Sequence, residues 1–332
     1  MYTLSFSPTA PDTSLSSPLL LATGGFDKRL LLWSLSERNV DNYNVLEGER
    51  ARAWFISPPP LILILTVSPP APPIVILGFK NAITQTSWFT PTLLASSSAD
   101  RGVHLHDANT GSRIRKYTSH NSVVNCVVGD GGSNLVVSGG DDRFVMLHDV
   151  RSRDCVARIK HGYQVLAVDI DESRMWTGGV DNVIRGFEIR ALTSGSGVDH
   201  KPVITLGGHN DSVTGLKVGL GGTRLVSNGM DGCVKSWDIS PYVTSENSRL
   251  RWSNGTEVKH DSEKRLLRCT MSEDGGLVTG GSSDRNVHVM DGDTGEGKFL
   301  LPGHEGAVTD VQFNGGVIGS AGVDRNVLVG VL

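Results

Sequence analysis

Seven aspartates constrain this chain more than any other feature. Each follows a short Ser/Gly/Thr-rich segment and precedes an apolar one. They are Asp27, Asp100, Asp142, Asp181, Asp231, Asp284 and Asp324, in contexts such as Gly24-Gly25-Phe26-Asp27, Gly139-Gly140-Asp141-Asp142, Gly178-Gly179-Val180-Asp181 and Gly322-Val323-Asp324. Successive intervals are 73, 42, 39, 50, 53 and 40 residues. Glycine beside aspartate marks a tight turn, and the aliphatic runs on either side mark strands. A unit of about 40 to 45 residues holding four short strands is the period of a β-propeller blade and too long for most helical repeats. The expected fold is therefore all-β, a single seven-bladed propeller over residues 1–332.

Bulk properties narrow the function. The 40 glycines among 332 residues, about 12% against the usual 7% or so, fall at the repeat's turns and act as punctuation. A net charge of -4 gives no electrostatic case for direct nucleic-acid binding, so proteins are the expected partners. Cys126, Cys155, Cys233 and Cys269 are scattered, and three of them lie in expected strands, as buried free thiols of a reducing compartment would. Met1 to Pro8 carries neither the basic region nor the apolar run of a secretory signal, so a nuclear or cytosolic protein is expected.

Blade five is the clearest copy of the repeat. Gly208-His209 precedes strands at Val213–Val218, Arg224–Asn228, Cys233–Ile239 and Arg249–Ser253, with Trp237-Asp238 closing the third. This pattern resembles the WD-repeat family. The resemblance implies a hydrogen-bonded tetrad of imidazole, hydroxyl, carboxylate and indole, here His209, Ser227, Asp231 and Trp237. The same offsets give Thr23, Asp27 and Trp33 in blade one, and Ser96, Asp100 and His106 in blade two. Blade three has His120, Ser138, Asp142 and His148; blade four has His161, Thr177, Asp181 and Phe187. Blade six has His260, Gly280, Asp284 and Met290, and blade seven has His304, Ser320, Asp324 and Gly330. Only blade five is complete, so the others are expected to rely on packing between sheets.

Some strings invite a catalytic reading. His104-Leu105-His106-Asp107 looks like a metal cluster, because alternate strand residues share a face. The repeat absorbs it: His106 stands in the tryptophan slot, and His148-Asp149 recurs one blade later. The glycine pairs build no phosphate loop, since no Gly-Lys-Ser/Thr follows, and there is no Gly-x-Ser-x-Gly elbow. No enzyme activity, metal or cofactor is expected.

The first interval is too long. Residues 49–79 hold seven of the chain's fourteen prolines, and the stretch 55–79 is uncharged until Lys80. Its longest apolar run, Leu61 to Val67, falls far short of the roughly 20 residues a spanning helix needs, so no membrane segment is expected. A proline-rich ligand loop is one reading. A translated intron fits better. Removing residues 49–78 brings the interval to 43, abuts Gly48 with Phe79 in the histidine slot of the next blade, and leaves Gly48-Glu49, encodable by the donor-like GGTGAG. Met1 to Phe6 reads as the first strand of blade one and Val327 to Leu332 as the third strand of blade seven, so the last blade is expected to lack its outer strand and the start to be truncated.

Asp41-Asn42-Tyr43 in the expected outer strand of blade one, Tyr163 to Val168, Gly208 to Leu216, Leu225 to Asn228 with Met230-Asp231, Leu266 to Cys269 and Leu301 to His304 resemble WD-repeat subunits of the spliceosome's U5 small nuclear ribonucleoprotein. The resemblance implies a non-catalytic nuclear scaffold, one subunit of a large complex, holding the U5 core scaffold protein and its neighbours. The innermost strands line a channel, and the residues flanking their first apolar position, Thr84, Asn125, Gln164, Thr214, Arg265 and Thr309, are expected to form a docking rim. The alternatives are a substrate receptor of a cullin-RING ubiquitin ligase, suggested by His148-Asp149-Val150-Arg151 and Phe187-Glu188-Ile189-Arg190, and a WD-repeat scaffold outside splicing.

Overall fold

The computed structural model describes residues 3–8, 19–35, 63–64, 74–194, 200–243, 249–254 and 265–331. Its strands form seven four-stranded antiparallel sheets. In blade five these are Val213–Gly219, Arg224–Gly229, Val234–Asp238 and Leu250–Ser253, within about a residue of the boundaries the repeat suggests. Inner strands are covered on both faces and lose the alternation of a half-exposed sheet: Val165–Ile170 and Arg224–Gly229 are buried throughout. Outer strands recover it. Cys155–Lys160 alternates between covered Ala157 and Ile159 and more exposed neighbours.

Seven buried clusters hold the ring, one at each interface between neighbouring blades. Cys126, Val137 and Leu147 of blade three meet Val165, Met175 and Phe187 of blade four, and Trp176 and Ile184 of blade four meet Val213 and Trp237 of blade five. The first and last blades meet in the same way through Leu4, Phe6, Leu21, Ala321 and Val329. Ring closure therefore rests on side-chain packing as well as on strand pairing.

The outer strands of blades one and seven depart from the sequence reading. Blade seven does not lack its fourth strand: Leu63–Ile64 takes that place, pairing Ile64 with Gly330 and Leu63 with Val331. In blade one Ile74–Ile76 lies against Leu30–Leu32. Both strands come from the long first interval. The physical reason is that an open sheet edge presents unpaired N–H and C=O groups to any extended apolar segment within reach. Asp41-Asn42-Tyr43 lies outside the described residues. Among those described, no helix is long and apolar enough to cross a membrane; the single helix is Ile189–Ser194.

Candidate functional site

In blade five the turn between the second and third strands brings four side chains together. His209 Nε2 lies 2.7 Å from Ser227 Oγ, and its Nδ1 lies 3.0 Å from Asp231 Oδ2. Trp237 Nε1 donates to the same Ser227 hydroxyl at 2.8 Å. Asp231 also accepts from the backbone N–H groups of Asn210 and Cys233, so the carboxylate pins the loop entering the blade to the turn leaving its second strand. Burial pushes the Asp231 carboxyl up, but the His209 hydrogen bond and charge and these two amides more than offset it, holding it at about 2. The geometry needs a glycine at position 229, where a Cβ would stand 2.5 Å from both Asp231 Oδ1 and His209 Nδ1.

The other blades keep parts of this network. Blades three and seven retain the histidine, hydroxyl and carboxylate: His120 with Ser138 (2.9 Å) and Asp142 (3.0 Å), and His304 with Ser320 (2.9 Å) and Asp324 (3.0 Å). Blade one keeps the indole bond, Trp33 Nε1 to Thr23 Oγ1 at 3.1 Å. In blades two, four and six the turn aspartate bonds a residue four positions on: Asp100 with His104 (3.2 Å), Asp181 with Arg185 (2.6 Å) and Asp284 with His288 (2.6 Å). In two of these blades a serine replaces the glycine, and Ser98 and Ser282 accept from the N–H of Asp100 and Asp284. In blade two the substitution is coherent: Phe79 stands in the histidine slot, and without an imidazole to accommodate, the position can carry a side chain. His260 lies outside the described residues.

The degraded tryptophan slots are filled by packing alone. His148 is fully buried, stacks on Tyr117 at 4.3 Å between ring centroids, and leaves both ring nitrogens without a hydrogen-bond partner among the described residues. Burial holds its pKa down at about 4. His106, in the same slot of blade two, and His161, the leading histidine of blade four, are held at about 3 and about 4 chiefly by burial. The His104–His106 pair that resembles a metal cluster lies with rings parallel, 6.0 Å apart, and His104 is engaged with Asp100. Among the described residues no group of three or more His, Cys, Asp or Glu could hold a metal ion. Burial pushes the Cys126 and Cys269 thiols up to about 12, which makes them poor nucleophiles.

The channel corrects the expected docking rim. Thr84 Oγ1 donates to Val124 O at 2.6 Å and Asn125 Nδ2 to Val165 O at 3.0 Å, each at the first strand of the next blade, and Thr214 Oγ1 to Leu267 O at 2.8 Å, just ahead of the first strand of blade six, Cys269–Met271. Thr309 bonds Ala321 O within its own blade. Asn125, Thr214 and Thr309 are buried; Asn125 and Thr214 fasten blades together, Thr309 is bonded within its own blade, and none of the three presents a surface. The cause is proximity: innermost strands converge, and a short polar side chain there finds a neighbour's carbonyl before it finds water. Thr84 and Gln164 are half-buried and Arg265 exposed.

A residue that the repeat pattern does not flag dominates this region. Arg268, buried, donates to Asn125 O (2.8 Å), Leu166 O (2.9 Å) and Thr214 O (3.0 Å), tying blade six to blades three, four and five across one end of the channel. Asp310 closes the seam between blades seven and one by accepting from Thr3 Oγ1 and Leu4 N at 2.9 and 3.0 Å. Burial pushes its carboxyl up to about 6, against the lowering effect of the Leu4 amide and Arg268. Asp169 does the same between blades four and five, accepting from Val218 N at 2.6 Å. Beyond Arg268 the channel widens into a cavity of about 530 Å³ lined by Ser87, Asp169, Lys217, Thr270 and Gln312 among others. The available signal was a charged residue in strands otherwise built of apolar and hydroxyl side chains.

Comparison with known proteins agrees with this architecture. The family described as WD domain, G-beta repeat matches residues 111–149 and 200–238. The chain is 32% identical to the U5 small nuclear ribonucleoprotein 40 kDa protein of Dictyostelium discoideum over 93% of its length and 78% of that protein's. It is also 32% identical to pre-mRNA-splicing factor cwf17 of Schizosaccharomyces pombe, over 94% of its length and 81% of the relative's. Against the 40 kDa protein of Homo sapiens the identity is 32% over 68% of this chain and 61% of the relative. The chain belongs to the WD-repeat family that includes these U5 40 kDa proteins and splicing factors.

Proposed function

We propose that this protein is a non-catalytic scaffold of the spliceosome, a nuclear subunit of the U5 small nuclear ribonucleoprotein that binds its partners through protein contacts. The observation that carries the reading is the extent of the similarity: two relatives named for the U5 particle or for pre-mRNA splicing align over 93% and 94% of the chain, a span that takes in the whole ring and not a shared repeat alone. Fold by itself would not do this, since propellers serve many unrelated roles. The site chemistry points the same way. The tetrad of blade five is bonded within its blade, Cys126 and Cys269 are buried, and Arg268, Asp169 and Asp310 hold neighbouring blades together.

Partners in this reading are the U5 core scaffold protein and its neighbours, with RNA held by other subunits. Affinity purification of the tagged protein from nuclear extract, followed by mass spectrometry, tests it. Recovery of U5 proteins is expected. Recovery of cullin-RING adaptors, or of neither group, would replace the reading by a ligase receptor or a scaffold outside splicing.

A further inference from the structure

The residue after each turn aspartate forms a pattern that the sequence disperses over about 300 positions. It is Lys28, Arg101, Arg143, Asn182, Gly232, Arg285 and Arg325 in blades one to seven. All seven have positive φ, from 54° at Asn182 to 71° at Gly232 and Arg285. That region penalises any side chain with a Cβ and favours glycine or asparagine. Blades four and five carry those relaxed choices; the other five carry a long cation. Because the ring is closed between blades seven and one, the five are contiguous: Arg285, Arg325, Lys28, Arg101 and Arg143 in blades six, seven, one, two and three.

They share one face. The turn aspartates of blades two, three, five and seven bond the N–H of Lys80, Asn121, Asn210 and Glu305, in the loops that enter each blade's innermost strand. The turns therefore stand where those strands begin, and all innermost strands run the same way along the channel. All five cations are exposed, and none has an ion-pair partner among the described residues. Three of the five adjacent carboxylates are withdrawn inward, the Asp100, Asp142 and Asp324 side chains being 2%, 6% and 6% exposed, whereas Asp27 and Asp284 are exposed. Asp141 is half-buried and accepts from Asn125. Phe26, 63% exposed, stands beside Lys28 within the arc, and Tyr163 and Val180 face solvent at its gap in blade four.

We propose that this arc is a docking surface for an acidic protein segment. Guanidinium forks match carboxylates bidentately, and arginine with exposed aromatic side chains is the composition of protein interfaces. RNA is the less favoured ligand: the chain's net charge is -4, and four of the five cations follow an aspartate directly without a second basic residue beside them. The inference stands whichever assembly the protein enters, so its test leaves the splicing reading untouched.

The test uses the full chain and a variant carrying Lys28→Asn, Arg101→Asn, Arg143→Asn, Arg285→Asn and Arg325→Asn, a residue suited to the left-handed backbone and so expected to preserve the melting temperature. Fluorescence anisotropy is read with labelled decaglutamate and with a decauridylate. The parent is expected to bind decaglutamate more tightly than the uridylate, with affinity falling as salt rises, and the variant to bind it about tenfold or more weakly. Equal peptide binding by parent and variant, no peptide binding by the parent, or tighter binding of the uridylate through the arc would each overturn the proposal.

Discussion

Replacing Arg268 by methionine keeps most of the side chain's aliphatic volume and removes three hydrogen bonds that join four blades. Each bond runs from a charged donor to a carbonyl at 2.8 to 3.0 Å, and such bonds contribute about 1.5–3 kcal/mol apiece. Two effects reduce the sum. Removing the buried guanidinium relieves its own desolvation, and the adjoining cavity of about 530 Å³ admits water to the freed carbonyls. The expected loss is about 2–4 kcal/mol. For a chain of this length that corresponds to a fall of roughly 3–6 °C in Tm. Arg268→Lys should fall between the two, since an ammonium keeps the charge but not the planar fork. The assay is thermal and urea unfolding at fixed pH, with near-ultraviolet circular dichroism to confirm that the ring forms. A second readout is specific: Asp310, which Arg268 helps to hold down, should titrate higher in the methionine variant. Stability within about 0.5 kcal/mol of the parent would refute the reasoning, because a surface substitution does no more.

Ser227→Ala orphans His209 Nε2 and Trp237 Nε1 and should cost about 2–4 kcal/mol in urea unfolding; Ser96→Ala, whose hydroxyl makes only a 3.5 Å contact, should cost under about 1 kcal/mol, and equal costs would contradict the tetrad's role. His148→Trp restores the indole opposite Ser138 and should stabilise the protein by about 0.5–2 kcal/mol, read as a higher urea midpoint. His106, His148 and His161 have folded pKa values below the unfolded 6.5, so the unfolded chain takes up more protons between pH 6.5 and about 4 and stability falls as pH falls through that window. Asp310, raised to about 6, acts oppositely below that value, and the three histidines outweigh it; His148→Trp should make the decline shallower by about 1.4 kcal/mol per pH unit at most. We propose that residues 49–78 are translated intron: mature transcript sequenced across codons 45–85 should lack them, whereas retention in the message would rule out the intron reading.

The repeat was legible because its punctuation is local. Glycine and aspartate at fixed offsets mark turns, and the apolar runs between them need no tertiary information to be read as strands, which is why blade five came out within about a residue. The tetrad positions were legible for the same reason, since Ser227, Asp231 and Trp237 sit at set distances along one hairpin. What the other turn aspartates pair with was harder. His104, Arg185 and His288 each lie four residues after their aspartate, but spacing alone does not show whether an aspartate meets a residue of its own hairpin or the imidazole ahead of the blade. Thr84, Asn125 and Thr214 misled because sequence places them at a channel mouth without showing that the neighbouring carbonyl is nearer than solvent. Arg268 was hidden because its three acceptors lie up to 143 residues away. The outer strands of blades one and seven depend on which extended segment reaches an open edge, and a two-residue pairing such as Leu63–Ile64 leaves almost no trace in composition.

The central claim is membership of the U5 particle, and the small nuclear RNA recovered with the tagged protein tests it most directly. Under mild salt, U5 RNA should be enriched above the other spliceosomal RNAs. Recovery of no spliceosomal RNA, or of all of them without preference for U5, would contradict it.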